Sequence, residues 1–100
     1  MDMKVFWTET SLENLENIFD YLKHKVSLSK AKKVVTSIID RTIQLENQPE
    51  SGAKEQLLKS RGKEYRYLIE GNYKIIYWIE EGYVKIATVY DTRQYPLARV

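Results

Sequence analysis

Cysteine is absent from this 100-residue chain, and His24 is its only histidine. The first absence excludes disulfides and thiolate metal sites and fits a reducing compartment. A lone histidine in a helix-patterned stretch reads as a surface residue, so no metal site and no metal-dependent catalysis is expected. No stretch approaches the roughly 18 consecutive apolar residues of a membrane span. Met1 to Trp7 lacks the sustained apolar core of a secretion signal. The expectation is a cytoplasmic protein with no membrane partner, no cofactor and no small-molecule substrate. Proline occurs twice and glycine four times, so each serves as local punctuation.

What remains is an ordinary globular composition, 43% hydrophobic and 30% charged. At this length one domain over residues 1–100 is expected, with a modest core and marginal stability. The net charge of +2 is small, but it is unevenly spread. Residues 1–50 carry 7 basic and 8 acidic side chains, and residues 51–100 carry 9 and 6. Most of the excess lies between Lys54 and Arg66, where Lys54, Lys59, Arg61, Lys63 and Arg66 face only Glu55 and Glu64. Such a patch suits nucleic acid or an acidic protein. It also suits a solvated loop, and both readings stay open here.

Met3 to Trp7 is short and apolar, consistent with an edge strand. Thr8 is a good helix cap, with Ser11 beside it and Glu13 in the first turn. Leu12, Leu15, Ile18, Phe19, Leu22 and Val26 then recur at helical spacing and mark one buried stripe. Lys23, His24 and Lys25 close that helix, an order favourable to its dipole. Ser27 or Ser29 restarts a helix whose broad apolar face runs through Ala31, Val34, Val35, Ile38, Ile39, Thr42 and Leu45. Lys30, Lys32 and Lys33 stand near its beginning, against the dipole, which suggests another purpose. Gln48–Pro49 ends it. The near absence of a linker predicts an antiparallel helical hairpin.

After Gly52 the period changes from 3.6 to 2. Strands are expected over Glu64 to Glu70, Tyr73 to Glu80 and Tyr83 to Asp91, joined by turns at Gly71–Asn72 and Glu81–Gly82. The order β-α-α-β-β-β predicts an α+β fold, a helical hairpin packed on one face of an antiparallel sheet. Leu15, Phe19 and Leu22 are expected to lie against Ile38 and that sheet.

Two-residue turns set the register, and register assigns faces. One face then holds Leu68, Tyr73, Ile75, Tyr77, Ile79, Val84, Ile86, Thr88 and Tyr90, and should receive the helices. The other holds Tyr65, Tyr67, Ile69, Lys74, Ile76, Trp78, Tyr83, Lys85, Ala87 and Val89, then Asp91, and so mixes lysines with aromatics. Interleaved cations and rings can bind phosphates, stack bases or form a wet protein interface. They can equally form a cross-strand ladder in which lysine stems cover rings. The strand ends in "VYDTRQYP", where Pro96 cannot donate to a ladder. Asp91 and Arg93 thus stand at the rim of the expected free face, either to meet a target or to pair with neighbours.

Four stretches in order, "WTETSLENLENIFDYL", "LENQPESG", "YRYLIEGNYKIIYWI" and "VKIATVYDTRQYP", resemble the RelE/ParE superfamily of bacterial type II toxin–antitoxin toxins over nearly the whole chain. The resemblance implies a toxin neutralised by a cognate antitoxin protein. RelE-like members cut mRNA in the ribosomal A site with clustered cations and a tyrosine. ParE-like members inhibit DNA gyrase. Cleavage of that kind needs a base for the 2′-OH and cations for the phosphorane charge. By resemblance Lys74 matches a catalytic basic position, Arg93 or Thr92 the strand-end basic position, and Tyr95 falls short of the terminal tyrosine. The family's strand lysines fall on Tyr65 and Tyr67 here, and Asp91 takes a place often held by histidine or a basic residue.

With the cationic set so thinned, the expectation is a ParE-like gyrase inhibitor without enzymatic activity, contacting its target through Arg93, Lys74, Tyr67 and Asp91. The alternatives are a ribosome-dependent mRNA endonuclease using Lys74, Arg93 and Tyr95, and a non-toxic module that binds the antitoxin.

Overall fold

Apolar stripes on two helices and alternation on the following strands leave one solution, a two-layer α+β structure. The computed structural model describes residues 3–56 and 62–93. Strand β1 (Lys4–Trp7) leads into helix α1 (Glu9–Lys25), helix α2 (Leu28–Ile43) and a 3₁₀ turn (Gln44–Glu46). Strands β2 (Ala53–Lys54), β3 (Arg66–Glu70), β4 (Tyr73–Glu80) and β5 (Tyr83–Asp91) follow. They form one sheet in the order β1-β5-β4-β3-β2. The element order is the expected one, with two additions. The two-residue β2 extends the far edge, and β1 runs parallel to β5, making the sheet mixed rather than wholly antiparallel.

The helix boundaries follow from their caps. Thr8 Oγ1 accepts from the Ser11 N–H at 3.2 Å and donates to the Ile86 carbonyl at 2.6 Å. The residue that starts α1 therefore also fastens it to β5. Ser27 Oγ accepts from the Lys30 N–H at 3.0 Å and starts α2. The amides of Val26 and Ser27 both donate to the Leu22 carbonyl, closing α1 and turning the chain back within two residues.

The core joins Leu15 of α1, Ile38 of α2 and Leu45 to Leu68, Ile75, Tyr77, Val84, Ile86 and Val89 of the sheet. Burying each aliphatic side chain stabilises the fold by about 1.5–3 kcal/mol. Phe19 is only partly buried and lies outside this cluster, and Leu12 and Val26 of the expected stripe are 53% and 61% exposed. The stripe is narrower than the spacing predicts because α1 shares its inward side between α2 and β5, leaving its ends uncovered.

Tyr77 is fully buried, yet its hydroxyl is satisfied. It donates to the Pro49 carbonyl at 2.7 Å and accepts from the Gly52 N–H at 3.0 Å. A Cβ on Gly52 would stand 2.6 Å from that hydroxyl and 2.7 Å from the Tyr67 carbonyl, so only glycine fits. Arg66 clamps the same segment, donating to the carbonyls of Glu50 and Gly52 at 3.1 and 2.9 Å.

The β4–β5 register runs as expected from Glu80↔Tyr83 to Tyr77↔Ile86, then shifts. Ile76 pairs with Thr88, leaving Ala87 as the extra residue of a β-bulge. Asn14 of α1 covers the bulge, its Oδ1 accepting from Thr88 Oγ1 at 2.7 Å and the Val89 N–H at 3.0 Å. Beyond this point the expected faces are corrected. Val89 joins the helix-facing core opposite Ile75, Tyr90 stands opposite Lys74, and Asp91 opposite Tyr73. One inserted residue reverses every later side chain.

Tyr77→Phe should lower stability by about 1–3 kcal/mol, because it strands a buried amide and carbonyl. Leu15→Ala should cost about 2–5 kcal/mol, and Phe19→Ala distinctly less than Leu15→Ala. Urea unfolding of the three variants checks the ranking. A Phe19→Ala loss equal to that of Leu15→Ala would contradict this core.

Candidate functional site

Two clusters contain the residues singled out in the sequence. The first lies on the sheet face away from the helices. Beyond β2, the Glu55 N–H donates to the Tyr65 carbonyl at 2.8 Å, which carries the ladder one residue further and brings the Glu55 side chain onto this face. Its two carboxylate oxygens accept from Lys74 Nζ at 3.1 and 2.8 Å. The side chains of Lys74 and Glu55 are 17% and 4% exposed, so the pair is largely withdrawn from water. The Lys74 ammonium also sits 4.2 Å from the centre of the Tyr67 ring, within the range of a cation–π contact. Tyr90 completes the group.

Burial alone would lower the Lys74 pKa, but the hydrogen bond to Glu55 and the fields of Tyr90, Glu55 and Tyr67 outweigh it, and the pKa lies above the ordinary lysine value. Burial raises the Tyr90 phenol, and Lys74 offsets part of that rise. Lys74 is therefore a charged but neutralised cation. Across the same face Lys85 pairs with Glu80 at 3.3 Å, and Glu80 also accepts from the Trp78 indole N–H at 2.9 Å. Lys63 sits over the Trp78 ring at 5.1 Å. Ile76, at the centre of this face, is fully buried. The face that the alternation marked as free is internally paired at Lys74 and Lys85 and buried at Ile76, while Ile69 and Tyr83 stay exposed at its margins.

The second cluster is the strand end. The Asp91 carboxylate accepts three bonds from Arg93: from its N–H at 2.9 Å, from Nε at 2.9 Å and from Nη2 at 2.6 Å. Thr92 ties back to the β3–β4 turn, its N–H and hydroxyl donating to the Asn72 carbonyl at 2.7 and 2.9 Å. The Arg93 hydrogen bond holds the Asp91 carboxyl below the ordinary carboxylate pKa, against the opposing effect of burial. The Arg93 side chain remains 67% exposed while its geometry is bidentate and fixed. Nε and Nη2 are the atoms engaged, and a guanidinium so exposed keeps further donors for an anion or a carbonyl.

Lys74 and Tyr67 thus come together on the outer face. Asp91 and Arg93 come together at the rim, which the bulge turns to the helix side beside Tyr73. Tyr95 lies outside the described residues. Sequence reasoning missed Glu55, which carried no local signal beyond being an acid in a basic run, and Tyr90, which the bulge relocates. Among the described residues no group of three histidine, aspartate or glutamate side chains converges to hold a metal ion. None of the described helices is long and apolar enough to cross a membrane.

Lys74→Ala leaves the Glu55 carboxylate buried and unpaired, and should destabilise the fold by about 3–5 kcal/mol. The double variant Glu55→Gln with Lys74→Met should recover most of that loss in thermal melts. The protonated forms of Lys74, Tyr77 and Tyr90 all have raised folded-state pKa values. Their contribution to stability is fully present below about pH 10 and is lost as pH rises through the folded values. Denaturation midpoints should therefore fall on the alkaline side, and fall less steeply in the double variant. A flat alkaline limb in the wild type would contradict the assignment.

Solved structures share this fold, among them two toxin–antitoxin assemblies. The chromosomal ParDE toxin–antitoxin system from P. aeruginosa matches at a TM-score of 0.75 and 19% identity, covering 89% of this chain and 95% of that one. The toxin–antitoxin complex RelBE2 from Mycobacterium tuberculosis matches at a TM-score of 0.58 and 18% identity, covering 91% and 99%. No curated protein matches the sequence. The family model of the ParE toxin of the type II toxin–antitoxin system parDE matches residues 5–96. With the helical hairpin, the strand order and the strand-end arginine all inside that span, the chain belongs to the ParE toxin family of type II toxin–antitoxin systems.

Proposed function

We propose that this chain is the toxin of a pair, held inactive by a cognate antitoxin protein, and that it arrests growth by inhibiting DNA gyrase rather than by cutting mRNA. The observation that carries the choice is the Lys74–Glu55 pair. Stabilising a phosphorane requires cations aimed at the developing charge and free to meet it. Here the one lysine at a position matching a catalytic residue is saturated by both oxygens of a buried carboxylate. Arg93, the other candidate, is bound to Asp91 and lies on the opposite side of the sheet. The two cations do not converge on one phosphate. A protein–protein contact makes no such demand. An exposed, pre-oriented arginine serves it well, since arginine is favoured at interface centres.

An antitoxin partner is supported by family membership and by the paired assemblies of the two structural neighbours. It is also consistent with apolar side chains left on the surface, among them Phe6 at 49% and Tyr83 at 44% exposure beside the β1 edge. An added segment could cover both.

Induced expression of the wild type should stop growth, and the purified protein should block supercoiling by gyrase. Arg93→Ala should weaken both far more than the modest fall in melting temperature expected from leaving the Asp91 carboxylate without its partner, and the variant should remain folded. Glu55→Gln with Lys74→Met should leave both intact, because no phosphorane charge then depends on Lys74. Intact supercoiling together with mRNA fragmentation that requires Lys74 would overturn the gyrase reading in favour of ribosome-dependent cleavage. Normal growth under full induction would instead support the reading of a non-toxic module that captures its antitoxin.

A further inference from the structure

Neither cluster accounts for the end of the helical hairpin. Residues 23–33 hold five lysines and one histidine and no acid. The two-residue connection brings the last turn of α1, with Lys23, His24 and Lys25, against the first turns of α2, with Lys30, Lys32 and Lys33. All six are exposed. None pairs with an acid among the described residues, in contrast to Lys54, Lys74 and Lys85 on the sheet, each of which has a carboxylate partner. Lys23, His24 and Lys25 favour the α1 dipole, but Lys30, Lys32 and Lys33 oppose that of α2, which has no acid in its first turn. Helix stability does not explain three lysines in that place.

We propose that the tip of the α1–α2 hairpin docks on the phosphate backbone of duplex DNA without regard to sequence. Five exposed ammonium groups from two helices lie around one two-residue connection, and phosphates are the partner that point charges of this density fit. The tip has no arginine, asparagine or glutamine, the planar side chains that match base edges best, and its compact ammonium groups act as point charges toward phosphate. An anionic lipid surface fits less well. Helices that lie in a membrane interface need their apolar stripe free. Here both stripes turn inward, with Leu22 and Ala31 buried, and Tyr21, Val26 and Leu28 are the large apolar side chains left exposed near the tip. The inference is independent of which enzyme the toxin inhibits.

The test is fluorescence anisotropy of the purified full chain with a labelled duplex of about 30 base pairs and arbitrary sequence, at about 50 to 200 mM salt. Binding should weaken steeply with salt, by close to 0.9 in the log–log slope for each phosphate neutralised. The variant K30Q/K32Q/K33Q should bind at least roughly tenfold more weakly, with a slope shallower by about 2 to 3. Its far-ultraviolet dichroism and melting temperature should match the wild type, since these side chains are exposed and enter no ion pair or side-chain hydrogen bond among the described residues. K54Q/K63Q should bind DNA as the wild type does. The proposal is overturned if the duplex is not bound at low salt, or if the triple variant binds it equally well. It is also overturned if the chain binds phosphatidylglycerol vesicles but not the duplex, which would assign the tip to a lipid surface.

Discussion

The buried hydroxyl of Tyr77 sets conditions that much of the remaining structure has to meet. A phenol at the centre of a core must hydrogen-bond, because an unsatisfied buried hydroxyl costs several kcal/mol at the upper end of the transfer scales. Its partners are the Pro49 carbonyl and the Gly52 amide, in the segment that carries the chain from the helical layer to the sheet. Meeting both brings that segment so close that no Cβ fits at Gly52. Arg66 then fastens the carbonyls on its other side. The position of β2 follows, then that of Glu55 one residue beyond it, and then the neutralisation of Lys74. A packing requirement inside the core thereby decides the electrostatics of the opposite sheet face.

The bulge at Ala87 has a comparable reach. Without it, Tyr90 would enter the helix-facing layer and Asp91 would point away from it. With it, Val89 fills the core, Tyr90 screens Lys74, and the Asp91–Arg93 fork emerges beside α1. Asn14 accounts for why the irregularity is stable. A bulge leaves backbone and side-chain donors outside the ladder, and one carboxamide oxygen from α1 takes both. The same helix that needs a core to pack against thus supports the departure from regular pairing.

The cations divide into two populations. Lys54, Lys63, Lys74 and Lys85, on the sheet and its loops, are matched to carboxylates or held over a ring, and Lys74 and Lys85 are partly buried as well. Those at the hairpin tip are exposed and unmatched. Pairing in the first group quenches the positive face that the charge census suggested between Lys54 and Arg66, as far as the described residues show. The net charge of the chain is small, yet among the described residues the hairpin tip gathers five unpaired lysines, whose field acts over roughly the 8–10 Å of a screening length.

The sequence by itself determined the element order, both helix caps, the tight turns and the identity of most core residues. Those features arise from interactions within a few residues. Thr8 and Ser27 cap locally, Glu81–Gly82 adopts the left-handed pair that a two-residue hairpin needs, and alternation on β4 follows from the pleat. Tertiary structure alone decided the parallel addition of β1 to β5, the partial exposure of Phe19, the bulge and the Glu55–Lys74 pair. Each of these joins residues far apart in the chain, and each is settled by which group satisfies a buried neighbour rather than by any local preference. Asn14 reaching Val89, and Glu55 reaching Lys74, are such contacts. No spacing rule encodes them, because their partners come together only after the two layers have packed.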